Sequence, residues 1–156
     1  MSRAGERGTT FAEVMATAAI LMILASAILP LARVTAKRQR EAELRRALRE
    51  MRTAIDRYKL AVDQGQIGGS DVRLGSEGYP PALETLVKGV NQVGRLDHKL
   101  KFLRRIPRDP LTGEAEWGKR SSKQDPDDEM WDSQNLYDVY SLAEGKALDG
   151  TEYKTW

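Results

Sequence analysis

The sequence of 156 residues contains no cysteine. This absence excludes disulfides, thiol catalysis and zinc sites built on cysteine, so the fold must be stable without covalent cross-links even in an oxidising compartment. Histidine is represented by His98 alone, which has no serine or aspartate at the spacing of a catalytic motif. The acidic residues lie in segments of mixed charge, where nothing indicates a paired general acid and base. We therefore predict that the protein is not an enzyme.

A large excess of charge of one sign is also missing, because 25 basic and 23 acidic side chains leave a formal net charge of +2. Nucleic-acid binding usually requires a basic patch or stripe. The segment from Lys99 to Arg108 is rich in lysine and arginine, but isolated basic runs are usually a solvated face. No nucleic-acid partner is predicted.

Charged residues are absent from Val14 to Ala32, where leucine, isoleucine, methionine and alanine dominate. A stretch of roughly 19 residues is long enough to cross a bilayer core of about 30 Å as an α-helix. The segment therefore predicts one membrane span. Glu13 stands at the edge of this segment. An ionised carboxylate there is destabilising by less than the roughly 2.5 to 3.5 kcal/mol of the bilayer centre, but the cost still leads us to expect a positively charged partner.

The residues after the span are polar, yet apolar side chains recur among them at helical spacing. Steps of three and four residues bring these side chains to one face of a helix. No glycine occurs between Gly8 and Gly65, and Pro30 is the one proline of that interval. We therefore predict a single helix from about Thr9 to about Asp63, whose first half lies outside the domain, in lipid or against other subunits. The apolar stripe consists of Leu44, Leu48, Met51, Ile55, Tyr58 and Val62, flanked by Ala47, Ala54 and Ala61.

This stripe can pack inside its own domain or in a coiled coil with a second chain. Only about three heptads are present and turn-rich sequence follows, so packing inside the domain is favoured. A loop is predicted over residues 64–78, then a short helix that starts at Tyr79-Pro80-Pro81 and ends near Gly89. Strands are predicted at Glu114–Trp117 and Leu136–Leu142. The fold class is therefore α+β, with a long amino-terminal helix packed on a small domain that holds a short helix and a small antiparallel sheet.

The amino terminus carries a more specific pattern. A short basic leader is followed by Gly8, by an acidic residue five positions later at Glu13, and by the long apolar helix. This order resembles the amino terminus of type IV pilins and type II secretion pseudopilins. The resemblance implies that prepilin peptidase cleaves between Gly8 and Thr9 and that the new terminus is methylated. It also implies that Glu13 pairs with the terminal amine of a neighbouring subunit, and that Pro30 lets the helix loosen in a filament.

Motifs further along the chain make the resemblance narrower. Tyr79-Pro80, the turn Pro107-Arg108-Asp109-Pro110 and the segment Tyr137-Asp138-Val139-Tyr140-Ser141 are all present. In this order, with the terminal signature, they are similar to the type II secretion pseudopilins over nearly the whole chain. The resemblance implies a type IV pilin-like fold.

The domain organisation that the resemblance implies has three parts. Residues 1–8 form the leader, residues 9–33 the transmembrane and assembly half of the long helix, and residues 34–156 a periplasmic domain. The protein would then cross the bacterial inner membrane once, with its carboxyl-terminal domain in the periplasm.

The function implied by the resemblance is that of a structural subunit of a pseudopilus, a periplasmic filament that helps to drive protein export across the outer membrane. Its partners would be other copies of the chain in a helical filament, minor pseudopilins, prepilin peptidase and an inner-membrane assembly platform. In this family the loop after the last strand binds calcium, an ion that takes six to eight oxygen ligands. The corresponding acids here are Glu144, Asp149 and Glu152.

Two other interpretations stay open. A type IV pilin or minor pilin shares the same amino terminus, and the absence of a cysteine pair near the carboxyl end favours the pseudopilin over it. A secretory signal peptide also has a basic region, an apolar core and an A-x-A site, which Ala25-Ser26-Ala27 provides. Cleavage after Ala27 would release a soluble periplasmic binding domain that begins at Ile28.

Overall fold

The computed structural model describes residues 10–125, 128 and 130–156. The chain divides into two compact units, one ending at Gln39 and the other running from Arg40 to Trp156. Within the described residues, the helices are α1 (Phe11–Asp63) and α2 (Leu83–Lys88), and the strands are β1 (Val90–Gln92), β2 (Arg95–Leu100), β3 (Gly118–Arg120) and β4 (Asp138–Tyr140). Single turns of 3-10 helix occur at Gly69–Asp71 and Tyr153–Thr155.

Helix α1 is one continuous helix of 53 residues. It ends at Asp63, as predicted, and Gly65 follows with a φ of 67°, a left-handed conformation that favours glycine after a helix. At its start, Phe11 is the first helical residue, and the predicted start at Thr9 lies outside the described residues.

The unit that ends at Gln39 consists of the first part of α1 in the region that the structure describes. Its apolar side chains are exposed, with Phe11 82% and Ile23 69% accessible. Among the described residues, α1 is the one helix long and apolar enough to cross a membrane, with an 18-residue window of mean hydropathy 2.4 that is 0% buried. The prediction of a single membrane-length helix near the amino terminus is therefore confirmed.

The second part of α1 forms the core of the unit from Arg40 to Trp156. The predicted stripe is buried from Leu44 to Tyr58, whereas Val62 is partly buried. Burial of each large apolar side chain stabilises the fold by about 1.5 to 3 kcal/mol. The prediction that the stripe packs inside its own domain is confirmed. The side chains that it meets in this core include Leu83, Leu86, Leu103, Trp117, Leu136, Val139 and Tyr153.

Two small antiparallel sheets are present among the described residues, where one was predicted. Strands β1 and β2 form a hairpin around Gly94, whose φ of 78° suits a tight turn. The sequence predicted no strand here. The short helix predicted before this hairpin is present as α2, and it ends as predicted at Gly89, which has a φ of 77°. Its start is corrected, because α2 begins at Leu83 and not at Tyr79-Pro80-Pro81.

The second sheet corrects the predicted strand at Glu114–Trp117. Strand β3 begins at Gly118, directly after the last residue of the predicted strand, and pairs with β4 so that Gly118 lies opposite Tyr140. A Cβ at Gly118 would be 2.2 Å from the Tyr140 ring, so the ring covers this glycine closely. Trp117 instead ends a loop, with its indole buried in the core and its Nε1 donating to the carbonyl of Pro107 at 2.9 Å. The strand predicted at Leu136–Leu142 is the shorter β4.

The turn after Pro107 is fixed to β4 by Asp109, which is 0% exposed. Its Oδ1 accepts a hydrogen bond from the Leu111 N–H at 2.7 Å, and its Oδ2 accepts one from the hydroxyl of Ser141 at 2.5 Å. Buried polar groups in native proteins are hydrogen-bonded, and a carboxylate with two donors satisfies this requirement. The turn and the end of β4 therefore form one structural unit.

We expect Asp109→Ala to destabilise the domain strongly. The substitution leaves the Leu111 N–H and the Ser141 hydroxyl buried without an acceptor, at about 1 to 3 kcal/mol for each unsatisfied group. Urea-induced unfolding, followed by tryptophan fluorescence, measures the loss. Glu116→Ala, which removes an exposed acid from the same segment, is the control and should change the stability by less than about 0.5 kcal/mol. Equal stabilities for the two variants would contradict the role of Asp109.

Candidate functional site

The amino-terminal end of α1 holds the first candidate site, around Glu13. The Glu13 N–H donates to the Oγ1 of Thr10 at 3.3 Å, so Thr10 acts as the N-cap of the helix. Glu13 lies in the first turn, where the helix dipole favours a negative charge by about 0.3 to 1 kcal/mol. Thr10 and Glu13 have the spacing of a capping box, a signal in the sequence that the prediction missed.

The positive partner predicted for Glu13 is not provided by the part of the chain that the structure describes. Within residues 10–125, 128 and 130–156, the Glu13 carboxylate forms no ion pair, and the side chain is exposed. Gly8 and Thr9 lie outside the described residues. Position 30 is within α1, so the helix continues through Pro30. The pairing of Glu13 with a neighbouring subunit stays a prediction.

The second candidate site is the carboxyl-terminal loop, residues 142–156, which is attached to α1 by charged side chains. The deepest of these is Glu41, which is 8% exposed. Its Oε1 accepts hydrogen bonds from the Leu148 N–H at 2.9 Å and from the Tyr153 hydroxyl at 3.0 Å. A carboxylate on the helix thus holds the middle and the end of the loop.

Arg52 makes a second attachment. Its Nε and Nη2 donate to the two carboxylate oxygens of Asp138 at 2.6 and 3.2 Å, a bidentate arrangement that fits the planar guanidinium. Its Nη2 also donates to the carbonyl of Val139 at 3.1 Å and to the main-chain oxygen of Trp156 at 2.8 Å. One arginine therefore connects α1, β4 and the end of the loop.

Arg45 makes the third attachment, to Asp149. The guanidinium Nη2 lies 3.2 Å from Asp149 Oδ2, and its Cζ lies 4.1 Å from the centre of the Trp156 ring. Asp149 Oδ1 accepts from the N–H of Thr151 at 3.0 Å and from its hydroxyl at 2.6 Å. The hydrogen bonds from Thr151, and then the charge of Arg45, lower the pKa of Asp149.

The three acids predicted to bind calcium are divided between two locations. Glu144 and Glu152 line a depression of about 440 Å³ together with Lys146 and Lys154, whereas Asp149 contacts Arg45 and is not part of that lining. Within the described residues, no group of three His, Cys, Asp or Glu side chains is arranged to hold a metal ion. As arranged, these acids do not provide the converging oxygens that calcium needs. Calcium binding stays a prediction.

The basic run of the sequence lies on a different surface. Arg104, Arg105 and Arg108 meet Arg46 of α1 around a depression of about 870 Å³. Two glutamates of α1, Glu43 and Glu50, line the same depression. The surface is therefore of mixed charge and differs from the continuous basic stripe typical of nucleic-acid binding. The exclusion of a nucleic-acid partner stays a prediction.

Comparisons of the chain with protein-family models, with curated proteins and with solved structures found no match. The functional argument therefore depends on the residues and their geometry.

The contact between Glu41 and Tyr153 predicts a specific dependence on alkaline pH. Burial, followed by the hydrogen bond to Glu41 and its charge, raises the pKa of Tyr153 from 10.0 to about 12. Between pH 10 and about 12 the folded protein therefore keeps the phenolic proton of Tyr153, whereas the unfolded chain loses it. The stabilising contribution is complete below pH 10 and is lost as the pH rises to about 12.

We expect Tyr153→Phe to have a lower melting temperature at neutral pH, because the hydrogen bond to Glu41 is gone. We also expect its melting temperature to fall less than that of the unmodified protein between pH 10 and 12, since the titrating phenol is absent. Tyr137→Phe, which alters a half-exposed tyrosine of the same domain, serves as the control and should follow the unmodified protein. An unchanged alkaline fall in Tyr153→Phe would contradict the assignment.

Proposed function

We propose that this protein is a structural subunit of a type II secretion pseudopilus, a periplasmic filament that helps to drive protein export across the outer membrane. The observation that supports the proposal is the difference in burial between the first and the second part of α1. An 18-residue apolar window is 0% buried, while the same helix provides the core of a small α+β domain from Leu44 onward. A long exposed apolar helix needs lipid or other chains to cover it.

A filament of helices is a suitable environment for this segment. Apolar helices exchange lipid contacts for contacts with each other at little cost in burial, and small residues allow their backbones to approach closely. Such residues recur along the exposed part of α1. They are Ala16, Ala18, Ala19, Ala25 and Ser26.

In this proposal the acid of the first turn sets the register between subunits. Prepilin peptidase cleaves after Gly8, and the amine of Thr9, which is then methylated, pairs with Glu13 of a neighbouring copy. The pairing removes the cost of an isolated carboxylate at the edge of a hydrocarbon segment. The exposure of Glu13 and its position in the first turn support this role, because an intermolecular partner can reach it. Pro30 would loosen the helix during assembly.

The domain supports the proposal through the motifs that carry the resemblance. Asp109 of the Pro-x-Asp-Pro turn is hydrogen-bonded to Ser141, the last residue of the Tyr-Asp-Val-Tyr-Ser segment. The two motifs are therefore parts of one packed unit. The remaining elements of the proposal are an inner-membrane location with the domain in the periplasm, minor pseudopilins as partners and an inner-membrane assembly platform. A type IV pilin would share the amino-terminal mechanism.

A second candidate is a soluble periplasmic domain released by cleavage after Ala27. One observation favours it, because the described core residues begin with Leu44 and none of them would be lost. In that case Glu13 belongs to a signal peptide and has no role in the mature protein. The two candidates therefore differ in what happens when the charge of Glu13 is removed.

We expect Glu13→Gln to be cleaved after Gly8 and inserted normally but to form about tenfold fewer filaments. Glutamine keeps the capping position of the helix and removes the charge, and a loss of about 1.4 kcal/mol in a subunit contact weakens association about tenfold. Electron microscopy of filaments sheared from cells that overproduce the protein measures assembly, and amino-terminal sequencing measures cleavage.

Thr10→Ala is the matched variant, because it removes the capping oxygen and keeps the carboxylate. It should assemble nearly normally if charge pairing is what matters. Normal filaments from Glu13→Gln would refute the pairing role, and an equal defect in both variants would attribute the effect to the start of the helix.

A further inference from the structure

We infer that Arg45 supplies the positive charge that closes the carboxyl-terminal loop, so that the loop folds without a divalent cation. The family resemblance implies that calcium binds in this loop. In the structure the cation beside Asp149 is instead the guanidinium of Arg45 on α1. This inference goes beyond the proposed filament and does not depend on it, since it concerns contacts within one chain.

Both carboxylate oxygens of Asp149 already have hydrogen-bond donors. Oδ1 accepts from the N–H and the hydroxyl of Thr151, and Oδ2 accepts from the guanidinium of Arg45. A calcium ion at this carboxylate would have to compete with the arginine. An ion that needs six to eight oxygens would gain few in exchange, because Glu144 and Glu152 line a separate depression.

Arg45 also belongs to a closed circuit of contacts. It pairs with Asp149, Asp149 accepts from Thr151, and the Thr151 hydroxyl accepts from the indole Nε1 of Trp156 at 2.7 Å. The Trp156 ring then lies against the Arg45 guanidinium at 4.1 Å, a favourable cation–π contact. Each member of the circuit is held by two others, which fixes the guanidinium beside the carboxylate.

The acids of the loop also have positive side chains beside them. Residues 142–156 contain three acids, Glu144, Asp149 and Glu152, and two lysines, Lys146 and Lys154, so their side chains leave a net charge of −1. Arg45 adds a positive charge at Asp149, and Lys154 lies 3.6 Å from Glu152. Asp149 and Glu152 therefore each have a positive neighbour without a divalent cation.

The inference is tested by thermal unfolding of the full chain in detergent, followed by tryptophan fluorescence, first with a chelator and then with millimolar calcium chloride. A ligand that binds only the folded state must raise the melting temperature. The unmodified protein should show no shift with calcium. Arg45→Ala and Asp149→Ala should each lower the melting temperature by about 2 to 5 °C, the range for a partly exposed pair in a domain of this size.

The double variant Arg45→Ala with Asp149→Ala should fall by about as much as one single variant, because each substitution breaks the same contact. Arg46→Ala is the control. Arg46 is exposed and forms no hydrogen bond or ion pair within the described residues, so its variant should unfold like the unmodified protein. A rise of the unmodified protein's melting temperature in calcium would overturn the inference, and so would an Arg45→Ala variant as stable as Arg46→Ala.

Discussion

Helix α1 has to meet two different surroundings without a break, and the other features of the molecule follow from this constraint. Its first part presents an apolar surface that the described residues leave exposed. Its second part buries one stripe, from Leu44 to Tyr58, in a domain whose sheets are too small to form a core alone. Because no residue between Phe11 and Asp63 interrupts the helix, the membrane-length apolar segment and the scaffold of the domain belong to the same element.

The small domain is held to this helix by a few charged side chains as well as by apolar packing. Glu41 and Asp109 are buried acids, and each accepts hydrogen bonds from segments outside the long helix and the strands. Arg52 and Arg45 attach the carboxyl-terminal loop to the same helix. In a chain without cysteine, these contacts fix loops that secreted domains often fix with disulfides.

The sequence predicts the elements that depend on local pattern. The long helix follows from a stripe at helical spacing and from the absence of glycine between Gly8 and Gly65. The short helix α2 follows from Pro80 and Pro81 before it and from Gly89 at its end. Strand β3 was misplaced because its position depends on the Tyr140 ring that covers Gly118, a contact between distant residues. In the sequence the acids of the loop resemble one site. In the structure Asp149 pairs instead with Arg45, which lies 104 positions earlier in the chain. A contact between residues so far apart leaves no local signal in the sequence.

A pseudopilus subunit must keep the apolar part of α1 in its mature form. This requirement is tested by the amino-terminal sequence and mass of the mature protein purified from both the membrane fraction and the periplasmic fraction of the cells. The proposal predicts a chain that begins at Thr9 and remains in the membrane fraction. A mature chain that begins at Ile28 and is soluble in the periplasm would contradict it, because the helix that would form the filament core would then be absent.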